Sequence, residues 1–321
     1  MRPKKNTIDY FEHVSLKELS LSSAKKSLLN SYLSFFILTI VVLISSCTAS
    51  DSIDVEPAIH TPEIAQPPIL VIDSTDLKDL PVDMGGTHTA YPLNSTGAVF
   101  GHFVYTPDGY TEDGAEYPLL VFLHGWDPTA YTGTDEAELN ELLAGRTPPG
   151  LIRSGRWKPS FPFVVASPRL KSHSYWRHED IHDFIMYIID EYQVNTKRIY
   201  LTGLSLGGGG AWDYVGERGE DNYVAAIVPI SARGEERIVS NLTKMPIWAF
   251  HGDADTTVPA YENFGSVPLV AAINAYTPEI RAKVTVFNTT GHDAWIRVYT
   301  DQCTTNVRIT SFDVSIYDWL L

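Results

Sequence analysis

The sequence predicts an α/β domain with a mainly parallel central sheet covered by helices on both faces. Short apolar runs recur at residues 119–123, 163–166, 199–201, 224–230, 247–250 and 284–287. Runs of that length without polar alternation are what strands buried on both faces require. Between them lies an amphipathic stretch in which Ile181, Phe184, Ile185, Ile188, Ile189 and Tyr192 follow helical spacing, with Asp180 near its start. The chain has 321 residues with 44% hydrophobic content, ample for one large mixed core.

The run 199–201 leads into Gly203, Leu204, Ser205, Leu206 and Gly207. A Gly-x-Ser-x-Gly spacing alone is weak, since a chain this long meets it by chance roughly one time in ten. The context is stronger: an apolar run precedes the serine, and Gly207 to Gly210 followed by Ala211 and Trp212 read as a closely packed helix. A serine on such a strand-to-helix turn takes strained backbone angles, and glycines beside it avoid collision with neighbouring elements. Trp212 is assigned to the core.

Two later runs end in acid and imidazole residues. The run 247–250 opens into His251, Gly252, Asp253, Ala254 and Asp255, and the run 284–287 leads to Gly291, His292 and Asp293. Serine, acid, histidine is the chain order that an α/β-hydrolase arrangement requires. Ser205 is the expected nucleophile and His292 the general base that takes and returns its proton. A carboxylate would fix the imidazole tautomer, and Asp255 is assigned there with Asp253 as rival, because spacing does not resolve two loop positions. The anion site expected for a tetrahedral intermediate is two backbone N–H groups. Leu206 supplies one, and Trp126, in the loop His124–Asp127 after the run 119–123, is the candidate for the other. His124 is read as a residue packing that loop.

Four blocks carry a resemblance: residues 198–205, 246–253, 291–295 and the terminal Tyr317, Asp318, Trp319, Leu320, Leu321. Over about residue 97 to the C terminus they resemble bacterial α/β-hydrolases of the predicted-peptidase, phospholipase/carboxylesterase and polyhydroxybutyrate-depolymerase-like groups. The resemblance implies Ser205, Asp255 and His292 as a triad, favouring Asp255 because the family acid precedes a Val-Pro pair by three residues. Two positions depart from it. Leu206 stands where methionine is common, and Asp127 stands where many relatives have glycine.

Residues 131–162 carry charges, prolines and glycines and are expected to form an irregular insertion beside the site. Trp157, Tyr175 and Trp176 are each read first as buried packing, with a place lining an acyl or sugar pocket as the alternative. His178, Glu179, Asp180, His182 and Asp183 read as a solvated helix start. No Cys/His metal spacing and no suitable phosphate loop is visible, so neither metal nor cofactor is expected.

Residues 1–47 are set apart from the fold. Residues 28–46 are apolar, follow Lys25 and Lys26, and end in Ser45, Ser46 and Cys47. This resembles a lipoprotein signal peptide with Cys47 as the lipidation site, and a single transmembrane anchor is the competing reading. Residues 48–68 are expected to be a flexible tether, and residues 69–321 the catalytic domain. The implied location is the cell envelope, on the periplasmic or extracellular face. If Cys47 is acylated, Cys303 remains as the other cysteine, without an intramolecular partner. The net charge of −15 disfavours nucleic acid and anionic lipid surfaces and favours neutral ester substrates, small or polysaccharide-linked. The expected activity is therefore carboxylic-ester hydrolysis through an acyl-enzyme. A serine peptidase of the same fold and a catalytically inactive glycan-binding surface lipoprotein are the alternatives.

Overall fold

Among the described residues the apolar runs become the central strands of a nine-stranded sheet. In the computed structural model the described residues are 75–127, 136–171, 174–262, 264–300, 306–310, 312 and 314–321, all within the unit Ile64–Leu321. The strands are β1 (Thr87–Tyr91), β2 (Gly101–Thr106), β3 (Tyr117–Leu123), β4 (Val164–Arg169), β5 (Val194–Leu204), β6 (Ala226–Ile230), β7 (Trp248–Gly252), β8 (Lys283–Phe287) and β9 (Val307–Ile309). Their order is β1-β2-β4-β3-β5-β6-β7-β8-β9. From β4 to β8 every neighbouring pair is parallel, and β1, β2 and β9 join antiparallel at the two edges.

The side-chain alternation of a strand divides the interior into two cores. In β3, Leu119, Val121 and Leu123 enter one apolar cluster, while Leu120 and Phe122 enter the other. The first cluster packs against helices α3 (His178–Glu191), α4 (Leu206–Arg218) and α5 (Ser266–Ala275). The second packs against α2 (Pro148–Arg153), α6 (Trp295–Tyr299) and α7 (Ile316–Leu320). Helices therefore cover both faces. The amphipathic segment forms α3 with Ile181, Phe184, Ile185 and Ile188 buried, and Trp212 is fully buried in α4.

Within the expected insertion 131–162, the described residues 136–162 are more regular than an irregular loop. They contain α1 (Glu136–Leu139), a 3-10 turn Asn140–Leu143 and α2, with Leu139, Leu142 and Leu151 buried. The charges and prolines are compatible with helix here: Glu136 and Glu138 lie in the first turn of α1, and Pro148 begins α2, places where helices accept them. Cys47, the apolar stretch 28–46, the tether 48–68 and Cys303 lie outside the described residues. Among the described residues, no helix is long and apolar enough to cross a membrane.

Because β3 to β8 run parallel, their C-terminal ends collect along one edge of the sheet, where loops of an α/β fold build a site. The loops holding His124–Asp127, Ser205, Asp255 and His292 all leave from that edge.

Strand β2 carries a fully buried imidazole. His102 Nδ1 is 2.9 Å from the carbonyl of Phe100, and its ring stacks on Tyr91 and meets the edges of Phe184 and Tyr187. Desolvation pushes its pKa down to about 4. His102 is thus neutral in the fold, while the unfolded chain takes up a proton near pH 6.5. Between those values the unfolded state binds more protons, so stability present at neutral pH is lost as pH falls from 6.5 toward 4. The site accounts for about 3 kcal/mol at pH 4. Replacing His102 with phenylalanine is expected to narrow the difference in denaturant stability between pH 7 and pH 4.5. An unaltered difference in urea titrations at the two pH values would show that His102 does not carry it.

Candidate active site

Ser205 ends β5 and precedes α4, with φ 51° and ψ −118°, a left-handed backbone that L side chains rarely adopt. Two hydrogen bonds hold it there. Its N–H donates to Ile230 O at 2.8 Å, and its carbonyl accepts from Gly209 N–H at 3.0 Å. The tight turn brings the start of α4 against β3 and β5. A Cβ at Gly203 would run into the Gly207 carbonyl group, and one at Gly207 into the backbone oxygens of Leu123 and His124.

His292 lies in the loop after β8 and reaches the serine. Its Nε2 is 2.8 Å from Ser205 Oγ and its Nδ1 is 2.8 Å from Asp255 Oδ2. A carboxylate accepts only, so Nδ1–H donates to Asp255 and Nε2 is left to accept from the Ser205 hydroxyl. Of the two rival acids it is Asp255 that meets the imidazole. Asp253 faces the other way, 3.6 Å from Arg308 Nη1 on β9.

Asp255 is buried and fixed from three sides. Oδ1 accepts the N–H groups of Thr257 and Val258, each at 2.9 Å, while Oδ2 lies 3.3 Å from His251 Nε2 as well as against His292. Burial by itself raises the pKa of this carboxyl. Hydrogen bonds from His251, His292 and the Val258 amide outweigh it and hold the group down at about 2. The carboxylate therefore stays ionised throughout the neutral range.

His251, to which the sequence assigns no role, backs the acid. It is fully buried, with Nε2 2.7 Å from Val258 O and Nδ1 2.8 Å from Ser266 Oγ. Its position directly at the end of an apolar strand run was the available signal.

Leu206 is the first residue of α4, so its N–H has no partner within the helix and lies directly after the serine. The loop His124–Asp127 passes beside it: a Cβ built on Gly125 would stand 3.3 Å from Ser205 Cβ. His124 shapes this loop. Its Nε2 accepts Leu170 N–H at 2.9 Å, so Nδ1 carries the proton and donates to Gly125 O at 2.6 Å. Desolvation, with the Arg169 charge nearby, pushes its pKa down to about 4. Trp176 Nε1 donates to the His124 carbonyl at 3.0 Å. Asp127 pairs with Arg169 at 2.7 Å.

The serine sits between two cavities of about 440 and 410 Å³. The first includes His124, Arg169, His292, Trp295 and residues 141–147 apart from Leu143; the second includes Tyr175, Trp176, Asp213 and Arg233. Trp126, 63% exposed, borders both. Tyr175 is 75% exposed, whereas Trp176 is buried. Trp157 lies apart from both cavities: it is buried in the second core, 4.8 Å from the Tyr317 ring. The packing reading therefore holds for Trp157. Among the described residues no cluster of His, Cys, Asp and Glu is arranged to hold a metal ion.

No family model matches the chain, and no curated protein matches it. Solved structures do match. One is a thermostable esterase, at 24% identity and TM-score 0.52, with 69% of this chain covered. The match spans 61% of that esterase's length. Another is FphF, a fluorophosphonate-binding serine hydrolase of Staphylococcus aureus, substrate bound, at 13% identity and TM-score 0.51, covering 74% of this chain and 98% of the other. The chain has the α/β-hydrolase fold. In this chain β4 and β3 exchange places in the strand order, and the serine turn follows β5.

Gly207→Ala is expected to cost about 3 kcal/mol or more, because the obstructing atoms are backbone and cannot rotate away. At Gly209 the nearest atom to an added Cβ is Arg233 O at 3.8 Å, so Gly209→Ala should be neutral or slightly stabilising. Thermal melts of the two variants make the comparison, and equal melting temperatures would remove the steric explanation of the turn.

Proposed function

We propose that this chain is a serine hydrolase that cleaves carboxylic esters through an acyl-enzyme, held at the cell envelope by a lipid on Cys47. The observation that carries the catalytic part is the unbroken hydrogen-bonded chain from Ser205 Oγ through the His292 ring to Asp255, with both links at 2.8 Å. A serine hydroxyl alone is too weak a nucleophile at neutral pH, and an imidazole lone pair at this distance removes its proton as attack proceeds. Asp255 stabilises the imidazolium that forms and keeps the ring in the productive tautomer, without itself taking the proton.

In the first half-reaction Ser205 Oγ bonds to the ester carbonyl carbon and the carbonyl oxygen becomes an oxyanion. The N–H groups of Leu206 and Trp126 receive that charge. His292 then gives its proton to the departing alcohol oxygen as the carbon–oxygen bond breaks. Water, deprotonated by the same Nε2, attacks the acyl carbon; the bond to Ser205 Oγ then breaks, His292 returns its proton to that oxygen, and the acid leaves. The two cavities flanking Ser205 give room for substrate groups on both sides of the scissile bond. The ester preference draws on the solved thermostable esterase of the same fold and on a net charge of −15, which favours neutral substrates.

Ser205→Ala should lower turnover of p-nitrophenyl acetate by a factor on the order of 10⁴ or more and leave the thermal melt intact. It should also abolish labelling by a fluorophosphonate probe. Undiminished turnover or labelling in the variant would remove Ser205 from the chemistry.

The anchoring reading stands on the apolar stretch 28–46 ending at Cys47. Mass spectrometry of the mature N terminus, from protein expressed in a bacterial envelope, is expected to find a chain beginning at an acylated Cys47. A chain that begins at Met1 without acyl groups would favour the spanning alternative.

A further inference from the structure

The stretch Gly125–Trp126 has to hold an N–H group in a fixed place, yet it has little to hold it there by itself. The Trp126 side chain is 63% exposed, and Gly125 has none. What surrounds the pair is a set of struts onto one corner of the sheet. At the front end, His124 accepts from the backbone N–H of Leu170 and pins the Gly125 carbonyl through its other nitrogen. In a trans peptide the C=O and the following N–H point in opposite directions, so pinning the Gly125 carbonyl sets the direction of the Trp126 N–H. At the back end, Asp127 Oδ2 meets Arg169 Nη2 at 2.7 Å. Arg169 is the last residue of β4, 3% exposed, and its backbone is locked by antiparallel pairing with Gly101 of β2. Both ends of the loop thus rest on the consecutive residues Arg169 and Leu170.

We infer that the Asp127–Arg169 ion pair fixes the position of the Trp126 amide relative to Ser205, making Asp127 and Arg169 positioning residues of the hydrolytic site. The inference rests on the reading of Ser205 as nucleophile and of Trp126 N–H as an oxyanion donor. A charge-assisted hydrogen bond to a buried guanidinium is short and directional. It therefore limits the loop more tightly than a glycine at position 127, free to take many backbone angles, would do. Arg169 and Asp127 both border the larger cavity, so the strut is close enough to the reacting atoms for a displacement of the loop to be felt there.

The test uses the full folded chain and p-nitrophenyl acetate. Asp127→Ala is expected to lower kcat by about 10- to 100-fold, less than the loss of a whole oxyanion donor, with KM within about twofold. The inhibition constant of a trifluoromethyl ketone, which forms a tetrahedral adduct on the serine, should rise by a similar factor. Asp127→Glu, which restores the charge, should recover part of the loss. Should Asp127→Ala fail to fold, Asp127→Asn keeps the shape and one oxygen acceptor, and a kcat reduced about 3- to 10-fold at constant KM is expected of it. Wild-type kcat in a folded variant, or a change confined to KM, overturns the inference. If Ser205→Ala is itself active, the nucleophile assignment fails first. If Ser205→Ala is inactive while Asp127→Ala is fully active, the ion pair alone is excluded.

Discussion

The backbone of Ser205 is the constraint on which the site depends. A residue with φ near 50° at the junction of strand and helix costs free energy, on the order of 1–3 kcal/mol for such conformations, and persists only where its surroundings leave no alternative. The Ile230 carbonyl holds its amide from the neighbouring strand β6, and the packing of α4 against β3 and β5 leaves no space for side chains at 203 or 207. The same turn lifts the hydroxyl above the sheet edge and presents the Leu206 amide beside it. Geometry, strain and reactivity at this point have one cause.

The electrostatics of the site divide between one stable charge and several imidazoles with different surroundings. Asp255 gathers two backbone amides and two histidines, which more than offset the cost of its burial. Desolvation favours the neutral ring at the fully buried His102 and, together with the Arg169 charge, at the half-buried His124. His292, the ring that the proposed mechanism protonates, is the one with both a carboxylate behind it and access to the cavity in front. Placing imidazoles in such different settings lets one fold use the same side chain as structural wedge, loop brace and proton carrier.

Much of the parallel sheet was legible in the sequence because strands buried on both faces leave continuous apolar runs. Ser205, His292 and Asp255 were legible because each follows such a run at the sheet's C-terminal edge. The edge strands were not. β2 is interrupted by His102, whose burial depends on the rings of Tyr91, Phe184 and Tyr187, residues that are close in space and distant in sequence. Helix α5 has Pro268 in its first turn, where proline is tolerated though it reads as a breaker. The roles of His251 and Arg169 were hidden for a similar reason: each acts through a side chain whose partner is fixed by loop conformation, which residue spacing does not encode. Asp127 stood out as a departure from glycine, and its ion partner became visible only with β4 in place.

Trp126 joins two duties that most residues keep separate. Its main chain is the proposed anion donor, while the residue as a whole borders both cavities flanking the serine. Since the amide is indifferent to what the side chain is, that shared border is open to remodelling without loss of the donor. A single change there would alter the rim of both compartments at once, which couples the fit of the two halves of a substrate.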